Sequence, residues 1–332
     1  MTGPARQGNC AERPYAGRSG AYGVLMQLWI AHELGRELMG ALPDGVGVQV
    51  LAAADAPFPG DPSDVQFWVP PLLGGAETVA LAQRMSGLRV VQLLSAGADA
   101  WVGQLSDGVT LCDARGVHDV DVAEWVVAAI LSSLRRLDYL ALAQHEHRFA
   151  HTDVGLTDEL AGKRVMIVGA GSIGQATAAR LAPFGVHLTY VAHTAHDGMH
   201  SVDDLPGLLP QADIVVLLLP LTAHTTGMVD APFLAAMPDG ALLVNAARGP
   251  VVDTDALVAE LSTGRIRAAL DVTDPEPLPT DHPLWNLPDV LFTPHIGGAT
   301  KGVLPRAYRL VADQVRRFTA GEPLLNKVEG GY

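Results

Sequence analysis

Three side chains of this 332-residue sequence stand where they can do chemistry together: Arg248, Glu276 and His295. Each lies just past an apolar run that reads as a strand, within 244–249, 271–277 and 293–298, and open α/β sheets bind ligands beyond the carboxyl ends of their strands. Arg248 carries a flat, permanently charged fork that can hold a carboxylate through two parallel hydrogen bonds. Glu276 and His295 can form a dyad in which the carboxylate orients the ring and favours its charged form, poising it to give or take a proton. Singly, an Arg before Gly, a Glu between prolines and a His after Pro are ordinary surface and loop residues. Jointly they are the parts that a hydride-transfer site needs, provided that a dinucleotide binds beside them.

The dinucleotide signal is the stretch 164–174, in which Arg-Val-Met-Ile-Val leads into Gly169, Ala170, Gly171, Ser172, Ile173 and Gly174. It reads as a buried strand, a tight glycine turn and a helix start. Such a turn lets backbone amides approach a pyrophosphate, and the helix N-terminus attracts the same anion. Methyltransferases use similar turns, but that reading leaves the Arg, Glu and His stretches unexplained.

The elements that must position these groups follow from periodicity. Short apolar runs at 24–30, 46–52, 65–69, 88–94 and 109–112 alternate with helical patterns such as 76–85, which predicts a parallel sheet with helices on both faces. The segment 122–142 is apolar on most faces before it turns polar at Arg135 and Arg136, so one buried hinge helix is expected, between domains or at a subunit contact. A polar, histidine-bearing arm at 144–162 precedes the glycine turn. Beyond it come a helix at 172–181 and strands at 187–191, 214–219, 241–245, 268–272 and 290–293, a second doubly wound sheet. A last helix at 305–320 lies past that sheet and is expected to pack back on the first domain.

Composition excludes several functions. A 48% hydrophobic, 17% charged chain is globular, and its apolar runs are far too short for a bilayer span; the one at 214–219 suits a buried strand. The net charge of −14, with no local basic patch, makes nucleic acid and anionic membranes poor partners. Cys10 and Cys112 form neither a metal pair nor a disulfide framework, which favours a cytoplasmic setting. Residues 1–22 have no apolar core of a signal peptide and read as a disordered extension. His193, His196 and His200, like His145, His147 and His151, have spacings open to metal ligation, but no carboxylate or thiol completes a set and no metal is expected.

From about residue 65 to 328 the sequence resembles the D-isomer-specific 2-hydroxyacid dehydrogenases. The matching stretches are the glycine turn, Val122-Ala123-Glu124-Trp125, Leu219-Pro220-Leu221-Thr222, 244–249, Ala269-Leu270-Asp271-Val272, Glu276-Pro277-Leu278-Pro279, 293–298 and Gly321-Glu322-Pro323-Leu324-Leu325-Asn326. The resemblance implies an α/β architecture of two doubly wound parallel-sheet domains, with a Rossmann cofactor domain (119–304) inserted into a flavodoxin-like substrate domain (23–118 plus 305–332), and a homodimer. It implies that Arg248 binds the carboxylate and carbonyl of a small 2-oxo acid, that His295 protonates the carbonyl oxygen during reduction to a D-2-hydroxy acid, and that Glu276 pairs with His295. Main-chain amides around Ala96 and Gly97 would hold the substrate carboxylate. Pro220, Ala246, Ala247, Arg248, Asp271 and the turn from His295 to Gly297 and Gly298 would line the cofactor.

One departure bears on cofactor choice. NAD-preferring members carry an acidic residue about 20 residues beyond the turn, which accepts from the ribose 2′-hydroxyl. Ala192 occupies that place, followed by His193 and Thr194, which can donate to a 2′-phosphate. NADP is therefore expected to be preferred, with NAD possible. A rival from another class is a dinucleotide-sensing interaction protein resembling the C-terminal-binding corepressors, which retain the Arg, Glu and His. Trp68, Pro70, Pro71, Leu72 and Trp101 are candidates for an apolar substrate pocket, although tryptophans at strand ends more often serve the core.

Overall fold

The computed structural model describes residues 26–72, 74–195 and 198–329; the extension at 1–22 and His196 lie outside them. The first sheet contains β1 (Met26–Ile30), β2 (Val46–Val50), β3 (Val65–Val69), β4 (Val90–Gln92) and β5 (Thr110–Cys112). Its order is β2-β1-β3-β4-β5 and every pairing is parallel, the flavodoxin arrangement. Helices α1 (Leu34–Met39) and α2 (Ala76–Leu81) connect its strands. The strands read as continuous apolar runs because both faces are covered. On one face Leu28, Ile30 and Phe67 pack with residues of the last helix, and on the other Trp29, Trp68 and Val91 pack with Val79, Met85 and Trp101. Trp68 and Trp101 meet edge to face with centroids 5.6 Å apart, so both belong to the core and not to a substrate pocket.

The chain leaves this sheet through α3 (Asp119–Arg135), α4 (Leu137–His145) and α5 (His151–Val154). Here the structure corrects the expectation of one helix over 122–142. The helix starts earlier and breaks at Arg136, which takes a left-handed conformation (φ 53°, ψ 35°) and donates its N–H back to Ser132 and Ser133. No glycine marks that break; Arg136 is instead held by an ion pair to Asp289 at 2.8 Å.

The second sheet is built from β6 (Arg164–Val168), β7 (His187–Ala192), β8 (His200–Ser201), β9 (Ile214–Leu217), β10 (Leu242–Asn245), β11 (Arg267–Leu270) and β12 (Val290–Phe292), with α6 (Ser172–Leu181), α7 (Leu205–Leu208), α8 (Ala231–Ala236) and α9 (Thr254–Ser262) between them. Its order is β12-β11-β10-β9-β6-β7-β8, all parallel. This is the Rossmann order, reversing direction between β6 and β9. Val126 and Ile130 of α3 cover one face with Ala178 and Leu181 of α6, while Phe233, Leu234, Leu257 and Leu261 cover the other.

The last helix, α10 (Val303–Ala320), returns to the first sheet, where Tyr308, Val311 and Val315 are fully buried. Burial pushes the Tyr308 phenol up to about 12, and its oxygen accepts from the His32 N–H at 3.1 Å. The two crossings between sheets are fastened to each other. Arg306 at the start of α10 donates to the Val117 carbonyl at 2.7 Å and pairs at 3.0 Å with Asp121, buried in the first turn of α3. Among the described residues no helix is long and apolar enough to cross a membrane.

Candidate active site

The glycine turn sits at the strand reversal, and its three glycines meet different demands. Gly169 has φ +109°, and a Cβ there would stand 2.2 Å from the Leu218 carbonyl oxygen. A Cβ at Gly174 would stand 2.1 Å from the Gly169 oxygen, so helix and strand can approach only without a side chain. Gly171, the N-cap of α6, has open space above it and no side chain caps the helix. The first-turn amides of Ser172 and Ile173 thus face that space beside a positive helix end, which fits a pyrophosphate and would be filled by any larger residue.

Across the sheet, His295 is held in a left-handed conformation, φ 54°. Asp271 fixes it there. That carboxylate, 4% exposed, accepts from the amides of Ile296 at 2.9 Å and Gly297 at 2.7 Å and from the Thr293 hydroxyl at 2.6 Å. Thr293 in turn accepts from the Trp125 indole at 3.0 Å, so α3 braces the same turn. The His295 ring presents Nδ1 to Glu276 Oε1 at 2.6 Å. A carboxylate at Nδ1 selects the tautomer and leaves Nε2 as the proton-exchanging atom. Both side chains are partly exposed, 34% and 42%, as groups meeting a ligand must be.

Arg248 follows β10, where buried Asn245 shapes the turn by accepting from the Ala247 amide at 3.0 Å and donating to the Arg248 carbonyl at 3.1 Å. A Cβ at Gly249 would lie 1.9 Å from the Thr273 oxygen, so the arginine loop and the loop leading to Glu276 are in direct contact. The guanidinium reaches across to the first sheet. It lies against Gly97 so closely that a Cβ there would stand 1.4 Å from Nη2, and its Nε donates to Asp99 at 3.1 Å. Nη1 donates to the Ala247 carbonyl at 2.7 Å. A permanently charged fork thus meets the loop of Ala96 and Gly97, with part of its donor set still free for an oxyanion.

Comparison with known proteins agrees with this geometry. Residues 127–297 match the model of the NAD-binding domain of the D-isomer specific 2-hydroxyacid dehydrogenases. Glyoxylate/hydroxypyruvate reductase B of Salmonella schwarzengrund is 38% identical over 243 residues, 69% of this chain and 75% of that protein. The chain belongs to the D-isomer-specific 2-hydroxyacid dehydrogenase family. D-3-phosphoglycerate dehydrogenase of Mycobacterium leprae is 39% identical over 253 residues, which cover 70% of this chain and only 47% of that longer protein. The structure of a D-isomer specific 2-hydroxyacid dehydrogenase from Xanthobacter autotrophicus Py2, in complex with NADPH and MES, superposes with a TM-score of 0.79 at 33% identity, covering 92% of this chain and 99% of that one. These relatives are NAD(P)-dependent oxidoreductases, and none of them favours the corepressor-like alternative.

As a 2-hydroxyacid dehydrogenase, the chain brings together most of the residues expected from sequence. Glu276 meets His295, Arg248 meets the Gly97 loop, and Gly169, Gly171 and Gly174 form the cradle. Asp271 does more than was expected of it: both of its oxygens accept from the His295 turn, so it also holds that turn in place. Pro220 and Ala246 leave the ends of β9 and β10 beside the cradle, and Ala192 ends β7 next to it. Sequence reading missed Asp99 and Asn245 as participants. Asn245 carried a signal, a polar residue ending an otherwise apolar strand that proves 1% exposed; Asp99 carried none, because its partner lies 149 residues away.

Proposed function

We propose that this protein reduces a small 2-oxo acid to the D-2-hydroxy acid with NADPH in preference to NADH, in the manner of a glyoxylate/hydroxypyruvate reductase. The observation that carries the reading is the approach of Arg248 to Gly97 together with the Glu276–His295 pair, on loops that touch where Gly249 meets Thr273. Gly169, Gly171, Ser172, Ile173 and Gly174 would hold the dinucleotide, which would supply the hydride for reduction of substrate C2. Arg248 and the amides around Ala96 and Gly97 bind the substrate carboxylate and orient the carbonyl. His295 Nε2 delivers a proton to the carbonyl oxygen as negative charge develops there, and Arg248 stabilises the same charge. Glu276 holds Nδ1 and so keeps Nε2 turned toward the carbonyl oxygen. On this reading 119–304 is the cofactor domain and 23–118 with 305–332 the substrate domain.

The absent acid at Ala192 supports NADPH, since the residue that ends β7 carries no charge to repel a 2′-phosphate. Steady-state kinetics on a panel of 2-oxo acids with both cofactors tests substrate and cofactor together. The expected result is turnover of the small members of the panel, glyoxylate and hydroxypyruvate included, with kcat/KM for NADPH above that for NADH; a tenfold advantage for NADH overturns the cofactor assignment.

We further infer a cytoplasmic homodimer. Its support is the arm spanning α4 and α5, where Phe149 and Leu156 are 96% and 103% exposed and Leu142 is 65% exposed. Such an apolar display on one segment costs solvation unless a second copy covers it. Phe149→Asp with Leu156→Asp is expected to elute at the mass of one chain by light scattering, where the unmodified protein elutes at twice that mass; identical masses would dismiss the arm as the interface.

A further inference from the structure

Two histidines from different strand ends converge beside the cofactor cradle. His193 follows β7 directly. His224 lies on the loop that leaves β9, and the two ring centroids are 5.9 Å apart with the planes tilted by 39°. In the sheet, β7 and β9 flank β6 on opposite sides, so the two rings reach toward each other over the end of the strand that carries the glycine turn. The His224 loop is braced from within. The Thr225 hydroxyl donates to the Pro220 carbonyl at 2.7 Å and accepts from the Thr222 amide at 2.8 Å, while the His224 amide donates to the Thr222 hydroxyl at 3.2 Å. Both histidines are exposed, and among the described residues neither ring forms an ion pair with a carboxylate. Just past β8, Asp204 is engaged by His200 at 3.7 Å and by the Ser201 amide at 2.9 Å.

We propose that His193 and His224 form a two-ring clamp for the 2′-phosphate of NADPH, a role that rests on the NADPH reading above and adds His224 to it. A phosphate offers three strong acceptor oxygens, enough to take one ring N–H from each side. Sandwiching the adenine instead would need rings about 7 Å apart, two van der Waals spacings, which is wider than the observed gap. Two imidazoles set side by side, with no carboxylate paired to either ring among the described residues, form a place where an anion is welcome. The absence of an acid at Ala192 removes the group that would otherwise occupy the phosphate's position.

The test measures dissociation constants of NADPH, NADH, 2′,5′-ADP and 5′-AMP by titration calorimetry for the unmodified protein, His193→Ala, His224→Ala, the double variant and His224→Arg. His224→Ala is expected to weaken NADPH and 2′,5′-ADP about tenfold, the loss of one charge-assisted hydrogen bond, and to leave NADH and 5′-AMP unchanged. The double variant is expected to lose less than the product of the single losses, because both rings hold one group, and His224→Arg is expected to retain NADPH. Equal losses for the phosphorylated and unphosphorylated ligands mean that His224 packs on the adenosine and overturn the clamp, as does an unchanged NADPH affinity. An unmodified protein that binds NADH more tightly than NADPH overturns the cofactor reading; a His224→Ala loss confined to the 2′-phosphorylated ligands still establishes the clamp.

Discussion

Replacing His295 with alanine is expected to lower kcat for 2-oxo acid reduction by about 10²–10⁴-fold, the usual contribution of a positioned general acid, while the dissociation constant of NADPH changes by less than about threefold. The expectation follows from the position of the ring. Nδ1 is committed to Glu276 at 2.6 Å, so Nε2 is the only ring atom left to serve the carbonyl oxygen. The backbone at this residue is left-handed, φ 54°, which alanine adopts at a cost and asparagine adopts readily. His295→Asn therefore separates chemistry from conformation: it should keep the turn that Asp271 anchors and still lose kcat to the same degree. Glu276→Gln, which leaves a hydrogen-bond acceptor but removes the charge, should fall between the unmodified enzyme and His295→Asn. A His295→Asn enzyme with unchanged kcat would remove the acid/base role from this residue altogether.

How much of this was legible in the sequence depends on whether a feature is local. Strands buried on both faces announce themselves as apolar runs, and eleven of the strand positions follow from that pattern; β8, two polar residues at a sheet edge, has no such run and escaped. The break at Arg136 escaped because Leu134 and Leu137 continue the apolar pattern across it and the left-handed residue is not glycine. The glycine turn was legible because its demands fall within a few residues of one another, and a Cβ at Gly174 would collide with the oxygen of Gly169 itself. Arg248, Glu276 and His295 were legible as strand-end residues, and the Glu276–His295 dyad with them; the partner that holds Arg248 was not. Residue spacing says nothing about which loops meet, so the His193–His224 approach and the Asp99–Arg248 pair appear only once the parallel order of the sheets is known. Asp271 shows a role that its place at a strand end did not reveal: buried, it anchors the neighbouring turn.

The second large effect is expected at Arg248. Arg248→Ala should reduce kcat/KM by roughly a thousandfold, because one substitution removes both the carboxylate anchor and a donor to the developing oxyanion. Lysine should restore little of it. The guanidinium simultaneously donates from Nε to Asp99 at 3.1 Å and from Nη1 to Ala247 at 2.7 Å while Nη2 lies over Gly97, and a single ammonium cannot span those directions and a substrate together. The same geometry makes Gly97 a test that leaves the charge in place. A Cβ at Gly97 would stand 1.4 Å from Nη2, so Gly97→Ala must push the fork out of the cleft. Its expected signature is a raised KM for the 2-oxo acid and a lowered kcat, with NADPH affinity retained because the cradle at Gly169 and Gly171 is untouched. Asp99→Asn should act more mildly and in a different way: it keeps an acceptor for Nε but removes the charge, freeing the guanidinium to pair more strongly with the substrate carboxylate while holding it less firmly in place. KM should then fall or stay level as kcat falls, the opposite split from Gly97→Ala. If both substitutions raise KM alone, Arg248 serves only to bind substrate, and the charge stabilisation in the reaction must come from His295.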